Sequence, residues 1–346
     1  MLDIIQKIPT NKLTLEELEL LASFELNKKN NYFHFDQDNA LEKINIRVNL
    51  FNQVYGEIIN FCQNKFLQEV EVIINLLWNL WLPFAIQIND KIYNQRKDIF
   101  IQGILGSQGT GKSTLTSVLK IILENLDYSS ICISLDDFYK TYEERKELQK
   151  KEPRLIWRGP PGTHDIDLGL KLFEDLHNIN KKEIVIPRFD KSAYNGIGDR
   201  GKFETIKRPD IVLFEGWFVG VKPIDESLFN NPPKPIISEK DKQFAKENNK
   251  RLLDYLPWWK NLDSLIVLYP QDYHLSLQWR KEAEHKMIAS GKTGMSDLQI
   301  EEFVYYFWRS LHPELFIKPL TENNDLVDLV IKINQNHLPE NLYTKE

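Results

Sequence analysis

Gly106-Ser107-Gln108-Gly109-Thr110-Gly111-Lys112-Ser113 fits the spacing G-x-x-x-x-G-K-[ST]. Glycines at these intervals let the backbone bend until successive N–H groups aim at phosphate oxygens, and a following helix adds the positive end of its dipole. In such a loop Lys112 reaches the β- and γ-phosphates of a nucleoside triphosphate. The Ser113 hydroxyl ligates Mg²⁺, and Thr114 continues the phosphate-binding run. ATP with magnesium is the expected ligand. An echo at Gly291-Lys292-Thr293 fails the pattern, because position 286 is Lys rather than Gly.

Carboxylates recur at two further places. Ser134-Leu135-Asp136-Asp137-Phe138-Tyr139 closes an apolar run of strand length. A carboxylate at the C-terminal end of a strand beside a phosphate loop lies in the crevice where ligands bind, and there it can accept the proton of an attacking hydroxyl. Asp136 is the expected base. Asp137 is expected to cap the following helix or to contact the metal through water. Ile211-Val212-Leu213-Phe214-Glu215-Gly216 places Glu215 at a second strand end, so Ser113, Glu215 and Asp136 are the expected neighbours of magnesium. The guanine-reading pattern Asn-Lys-x-Asp is missing, since Asn180-Lys181-Lys182-Glu183 lacks the Asp. No Leu-Ser-Gly-Gly-Gln-like signature of a transporter ATPase occurs.

The elements that must hold these residues are legible from periodicity. Runs at 99–105, 130–135, 183–187, 211–214 and 264–269 read as buried parallel strands. Residues 115–126 place Leu115, Val118, Leu119, Ile122, Leu123 and Leu126 on one helical stripe. Strands alternating with helices predict a doubly wound, mainly parallel α/β sheet flanked by helices. Residues 98–346 form this expected kinase-type domain, and residues 1–97 read as a helical extension. In the extension, Thr14-Leu15-Glu16-Glu17 resembles a capping box. Helical patterns follow over Ala40–Phe66 and Leu67–Leu82, the second expected to end at Pro83. Residues 152–166 and 187–202 are irregular and rich in Gly, Pro, Arg and Asp, and residues 222–250 read as a surface excursion.

Composition limits the function classes. The chain has 346 residues and a net charge of −6, which argues against a nucleic-acid partner. The two cysteines, Cys62 and Cys132, form no metal-ligand cluster. The most apolar stretch, Val70–Ile88, includes Glu71, Asn75, Asn79 and Pro83 and is expected to be a buried helix rather than a membrane span. The first ten residues show no secretory pattern, and a cytoplasmic location is expected.

Together the three motifs resemble the kinase family that includes phosphoribulokinase, uridine kinase and bacterial pantothenate kinase. The nearer resemblance is to the D-glycerate 3-kinases of plants and cyanobacteria. It is carried by Gly159-Pro160-Pro161-Gly162-Thr163-His164-Asp165, Pro187-Arg188-Phe189-Asp190-Lys191-Ser192, Gly198-Asp199-Arg200, Phe214-Glu215-Gly216-Trp217, Trp279-Arg280-Lys281-Glu282-Ala283-Glu284 and Gly294-Met295-Ser296-Asp297. The resemblance implies phosphorylation of D-glycerate to 3-phospho-D-glycerate, a photorespiratory reaction in plants. It implies that Asp165 holds the acceptor, and that an Arg of the lid region, residues 272–312, covers the transferring phosphoryl group. Arg280 is the expected lid residue. A small carboxylate needs cations, and Arg158, Arg188, Lys191 and Arg200 lie in the irregular stretches, with His164 beside Asp165 as a further hydroxyl contact. Kinases for a nucleoside, pantothenate or a sugar phosphate share these catalytic residues, and a non-catalytic ATP-binding protein remains the other alternative.

Overall fold

A computed structural model describes residues 2–10, 13–28, 35–66, 69–291, 294–322 and 326–343. Contacts divide the chain into two units, Met1–Asp98 with Ser113–Ile131, and Ile99–Lys112 with Cys132–Glu346.

The first unit is helical: α1 (Leu2–Ile5), α2 (Leu15–Leu26), α3 (Ala40–Phe66), α4 (Val70–Leu76), α5 (Leu82–Gln95) and nearly all of α6 (Lys112–Glu124). The Thr14–Glu17 capping box forms as expected. Ile44, Phe51, Ile58 and Trp78 are buried in its core. Arg47 is buried with them, 3.0 Å from the equally buried Glu25, with its guanidinium over the rings of Phe35 and Trp78. Removing Glu25 would strand the Arg47 charge in an apolar core, whereas Glu25 is also paired with Lys28 at 2.8 Å. Pro83 does not end its helix. Residues Leu77–Trp81 form a π turn in which the Leu82 N–H reaches back to the Leu77 carbonyl, and Pro83 enters in the first turn of α5, where a missing N–H is tolerated. The stretch Val70–Gln95 is long and apolar enough to cross a bilayer, yet 61% of its most apolar window is buried within the protein. Residues 67 and 68, the expected start of this helix, lie outside the described residues.

The second unit carries the strands β1 (Phe100–Gly106), the last three residues of β2 (Ser130–Ser134), β3 (Glu183–Ile186), β4 (Phe189–Asp190), β5 (Asp199–Arg200), β6 (Glu204–Lys207), β7 (Ile211–Gly216), β8 (Ser264–Pro270), β9 (Val327–Ile333) and β10 (Pro339–Tyr343). The main sheet runs β10-β9-β8-β1-β7-β2. β1 is central and parallel to both β7 and β8, β9 is parallel to β8, and only β10 is shown antiparallel. This is the expected mainly parallel sheet. Every residue of β1 and β8 is buried, as a sheet covered on both faces requires. β3 departs from expectation. It pairs antiparallel with β6 in a separate ribbon, and its side chains alternate between exposed and buried, so one face of the ribbon lies in solvent.

The helices of this unit are α7 (Tyr142–Lys151), α8 (Ile166–His177), α9 (Glu239–Arg251), α10 (Leu256–Trp259), α11 (Leu275–Ala289) and α12 (Asp297–Ser310), followed by two short turns of helix before β9. The stretch 222–250 is more than an excursion. A Ser238–Asp241 capping box opens α9, whose Phe244 packs with Leu155 and Tyr306 in a small core. Phe138, Phe173, Phe214 and Trp258 join the end of β2, α8, β7 and α10 through edge and tilted ring contacts. Through Phe138 that cluster anchors the short turn, Leu135–Phe138, that carries Asp136.

Candidate active site

The loop 106–111 leaves the C-terminal end of the central strand. Glu215 stands level with Ile104 on the adjacent β7. Gly109 and Gly111 adopt φ of +86° and +87°, conformations that cost other residues strain. The Thr110 hydroxyl and the Lys112 ammonium both donate to the Ser107 carbonyl, at 2.8 and 2.9 Å, and so hold the loop curled. Ser113 and Thr114 continue the chain into the first turn of α6. Two residues brace Gly109 from outside. Trp279 of α11 packs against its α-carbon, and the His337 Nδ1–H donates to its carbonyl at 2.8 Å. The rings of Trp279 and His337 stack at 4.6 Å.

Asp136 lies at the start of a short 3₁₀ turn, Leu135–Phe138, opened by a Ser134–Asp137 capping box. Its Oδ1 accepts a 2.8 Å bond from the Tyr139 hydroxyl, and its Oδ2 accepts a 2.7 Å bond from the Lys191 ammonium. Burial opposes ionisation of this carboxyl, but Lys191 and Tyr139 outweigh it and hold its pKa below the ordinary value. The same burial, with Asp136 beside it, raises the Tyr139 phenol well above its ordinary value. Lys112 belongs to the same group of charges. Burial lowers its pKa against the pull of Glu215 and Asp136, and Lys191 reinforces the lowering.

Asp137 is an internal anchor and does not cap α7, whose N-cap is Thr141. The Asp137 carboxylate accepts from the backbone N–H groups of Ser134 and Phe189 and from Arg188. Burial, its largest influence, raises its pKa.

The two irregular stretches converge on Asp136 as expected, though most of their charges already have partners. The 187–202 stretch forms a β4–β5 ribbon that brings Lys191 over the base. The 159–165 loop lies along Tyr139 through an isolated antiparallel bridge to His164. Arg188, expected on the acceptor, binds Asp137, Glu204 and the Cys132 carbonyl. Arg200 binds Asp165 at 2.7 Å. Arg158 donates to the Gly196 carbonyl and lies over the Phe189 ring. Asp165 is the N-cap of α8, with its Oδ1 on the Leu168 N–H. His164 is fully buried and stacks on Tyr139 at 4.6 Å. The Tyr255 hydroxyl accepts the Gly162 N–H at 2.9 Å and meets His164 Nδ1 at 2.7 Å. Burial holds the His164 pKa down at about 3.

Arg280 is engaged within the lid region, paired with Glu284 at 2.7 Å and lying over Phe303 of α12. The lid residue that touches the phosphate loop is its neighbour Trp279. The Ser296–Gln299 capping box of α12 forms as expected, whereas Lys292 and Thr293 of the Gly-Lys-Thr echo lie outside the described residues. Sequence reasoning assigned no role to Tyr139, Tyr255, Trp279 or His337. Two of them carried a signal: Tyr139 lies three residues after Asp136 in the same run, and Trp279 opens the motif that holds Arg280.

Magnesium fits the donor set. Asp136 and Glu215 are hard oxygen donors that both act on Lys112, and the Ser113 hydroxyl directly follows that lysine in the chain. Among the described residues no group of three or more His, Cys, Asp or Glu could hold a metal alone. One or two carboxylates supplementing the oxygens of a nucleotide is the usual environment of this ion.

No family model matches the chain. An uncharacterized kinase of Schizosaccharomyces pombe, mug58, is 36% identical over 216 residues, covering 60% of this chain and 78% of the relative. The chloroplastic D-glycerate 3-kinase of Arabidopsis thaliana is 32% identical over 275 residues, covering 75% of this chain but 58% of the longer plant protein. The solved structure of a D-glycerate 3-kinase from Cryptococcus neoformans superposes with a TM-score of 0.68 at 25% identity, covering 77% of this chain and 99% of that one.

Proposed function

The chain belongs to the family of phosphate-loop kinases that includes D-glycerate 3-kinase and is an ATP-dependent small-molecule kinase; on that premise we propose that it phosphorylates the primary hydroxyl of D-glycerate. The observation that supports the reading is the 2.7 Å ion pair of Lys191 with Asp136, both of which act electrostatically on the phosphate-loop residue Lys112. A proton acceptor, a cation suited to a small carboxylate and a cation suited to phosphate thus belong to one group of interacting charges. In the reaction Asp136 takes the hydroxyl proton, and Lys112 stabilises charge on the transferring group. Arg280 joins Lys112 when the lid region closes. Bound magnesium supplies neutralisation of phosphate charge. The protein's part is chiefly positioning and electrostatics.

The test is ADP release from Mg-ATP across D-glycerate, L-glycerate, uridine, pantothenate and ribulose 5-phosphate. Turnover with D-glycerate is expected. Activity confined to another acceptor would remove the glycerate assignment. Asp136→Asn is expected to bind ATP normally and to lose roughly 10²–10⁴-fold in turnover, the usual contribution of a general base.

A further inference from the structure

Asp136 has no idle oxygen in this structure. Tyr139 holds Oδ1 and Lys191 holds Oδ2. Each oxygen keeps a second lone pair, but a donor held on the carboxylate, above all an ammonium, opposes proton uptake there, so one of them must withdraw before Asp136 can act fully as base. Tyr139 is 4% exposed and set between the rings of His164 and Phe189, so it cannot swing away without unpacking the pocket. Lys191 is 64% exposed and directly follows the two-residue strand β4. Its long side chain is the partner that can leave.

What draws Lys191 away must compete for an ammonium. Water and neutral alcohols offer no charge, whereas a carboxylate does. The neighbouring guanidiniums of Arg188 and Arg200 are paired with carboxylates other than the base. Lys191 is the cation whose partner is Asp136 itself. We propose that Lys191 is a carboxylate-responsive latch: it covers Asp136 while no acceptor is bound, and the carboxylate of an anionic acceptor pulls it off and frees Oδ2.

The step then balances. The acceptor O–H bond breaks, and its proton passes to Asp136 Oδ2. A bond forms between the acceptor oxygen and the γ-phosphorus. The bond from that phosphorus to the bridging oxygen breaks, and its electron pair leaves with ADP. While the latch is closed, water lacks the same base, so ATP is protected from hydrolysis. The inference rests on the reading of Asp136 as base, but its central test needs no acceptor.

The experiment compares wild type, Lys191→Met and Lys191→Arg for ADP release from Mg-ATP alone, with D-glycerate and with glycerol. Lys191 is exposed, so the variants are expected to fold, and unfolding midpoints check this. In Lys191→Met, acceptor-free ADP release is expected to rise roughly tenfold or more, and KM for D-glycerate to rise by a similar factor, the size of one lost charge-assisted hydrogen bond. The kcat/KM preference for glycerate over glycerol is expected to fall, and Lys191→Arg to restore most of both properties. Unchanged acceptor-free release, with or without a raised KM, overturns the latch. Adding Asp136→Asn to Lys191→Met is expected to return acceptor-free release to the wild-type rate. If Asp136→Asn alone keeps normal turnover, the base assignment fails instead, which is a separate result.

Discussion

Each oxygen of the Asp136 carboxylate accepts one bond, and the two donors differ in kind. The Tyr139 hydroxyl is buried and fixed, while the Lys191 ammonium is exposed and movable. Tyr139 therefore sets the direction in which Oδ2 faces the pocket. Tyr139→Phe keeps the ring stack on His164 and removes only this bond. The expected result is a fall in kcat of about tenfold, in line with one charge-assisted hydrogen bond, with KM for ATP unchanged. Steady-state kinetics in ATP checks it, and an unaltered kcat would mean that Asp136 needs no orienting partner. Asp136, Lys112 and Glu215 were legible because each sits in a contiguous motif whose chemistry depends on local spacing. Their partners were not. Lys191 lies 55 positions from Asp136, and His337 lies 228 positions from Gly109. Contacts at such range are made by the topology. For the same reason the arginines were legible as a cationic group near the base, but not as residues already paired with carboxylates. Arg188 and Asp137 each read as available when viewed alone, and in the fold they satisfy one another.

The phosphate loop is held by elements far from it in the chain. α11 supplies Trp279, and the turn between β9 and β10 supplies His337, which bonds the Gly109 carbonyl. A Cβ on Gly109 would lie 2.9 Å from Trp279 while φ stays at +86°. Gly109→Ala thus meets two penalties, a steric clash and a left-handed backbone that costs about 1–2 kcal/mol for an L-residue. KM for ATP is expected to rise about 5- to 30-fold from the backbone term alone. Trp279→Ala in the same chain should relieve the clash and leave that term. A double-mutant cycle on ATP affinity separates the two, and complete rescue by Trp279→Ala would show that the backbone strain is negligible. The main parallel strands were legible as continuous apolar runs between turn residues. β3 was misplaced because a run of three apolar residues, Ile184 to Ile186, does not reveal whether one face of its strand meets solvent. Pro83 was read as a stop because the π turn that accommodates it has no local sequence mark.

The second unit encloses two neutral histidines, and that sets how the protein responds to acid. Burial lowers His164 to about 3 and His312 to about 4. His312 is held between the Lys234 carbonyl and the Glu314 N–H, and His164 between Tyr255 and the ring of Tyr139. In the unfolded chain both titrate near 6.5. Below that pH the unfolded state takes up protons that the folded state refuses, so stability falls as pH falls. The contribution is complete above 6.5 and is lost progressively toward 4 and 3. At pH 5 the loss is about 2 kcal/mol for each histidine, since one pH unit corresponds to about 1.4 kcal/mol when a single proton is at stake. Ordinary carboxylates titrate lower and add little in this window. Urea unfolding at pH 7.5, 6.5, 5.5 and 5.0 is expected to show a declining free energy with a slope near two protons at the acid end. His312→Asn keeps groups able to meet both backbone partners and removes one titration, so its slope should fall by about one proton. A wild-type free energy that stays level from pH 7.5 to 5.0 would mean that these imidazoles accept protons in the folded state. The neutral His164 beside the base would then no longer hold as described.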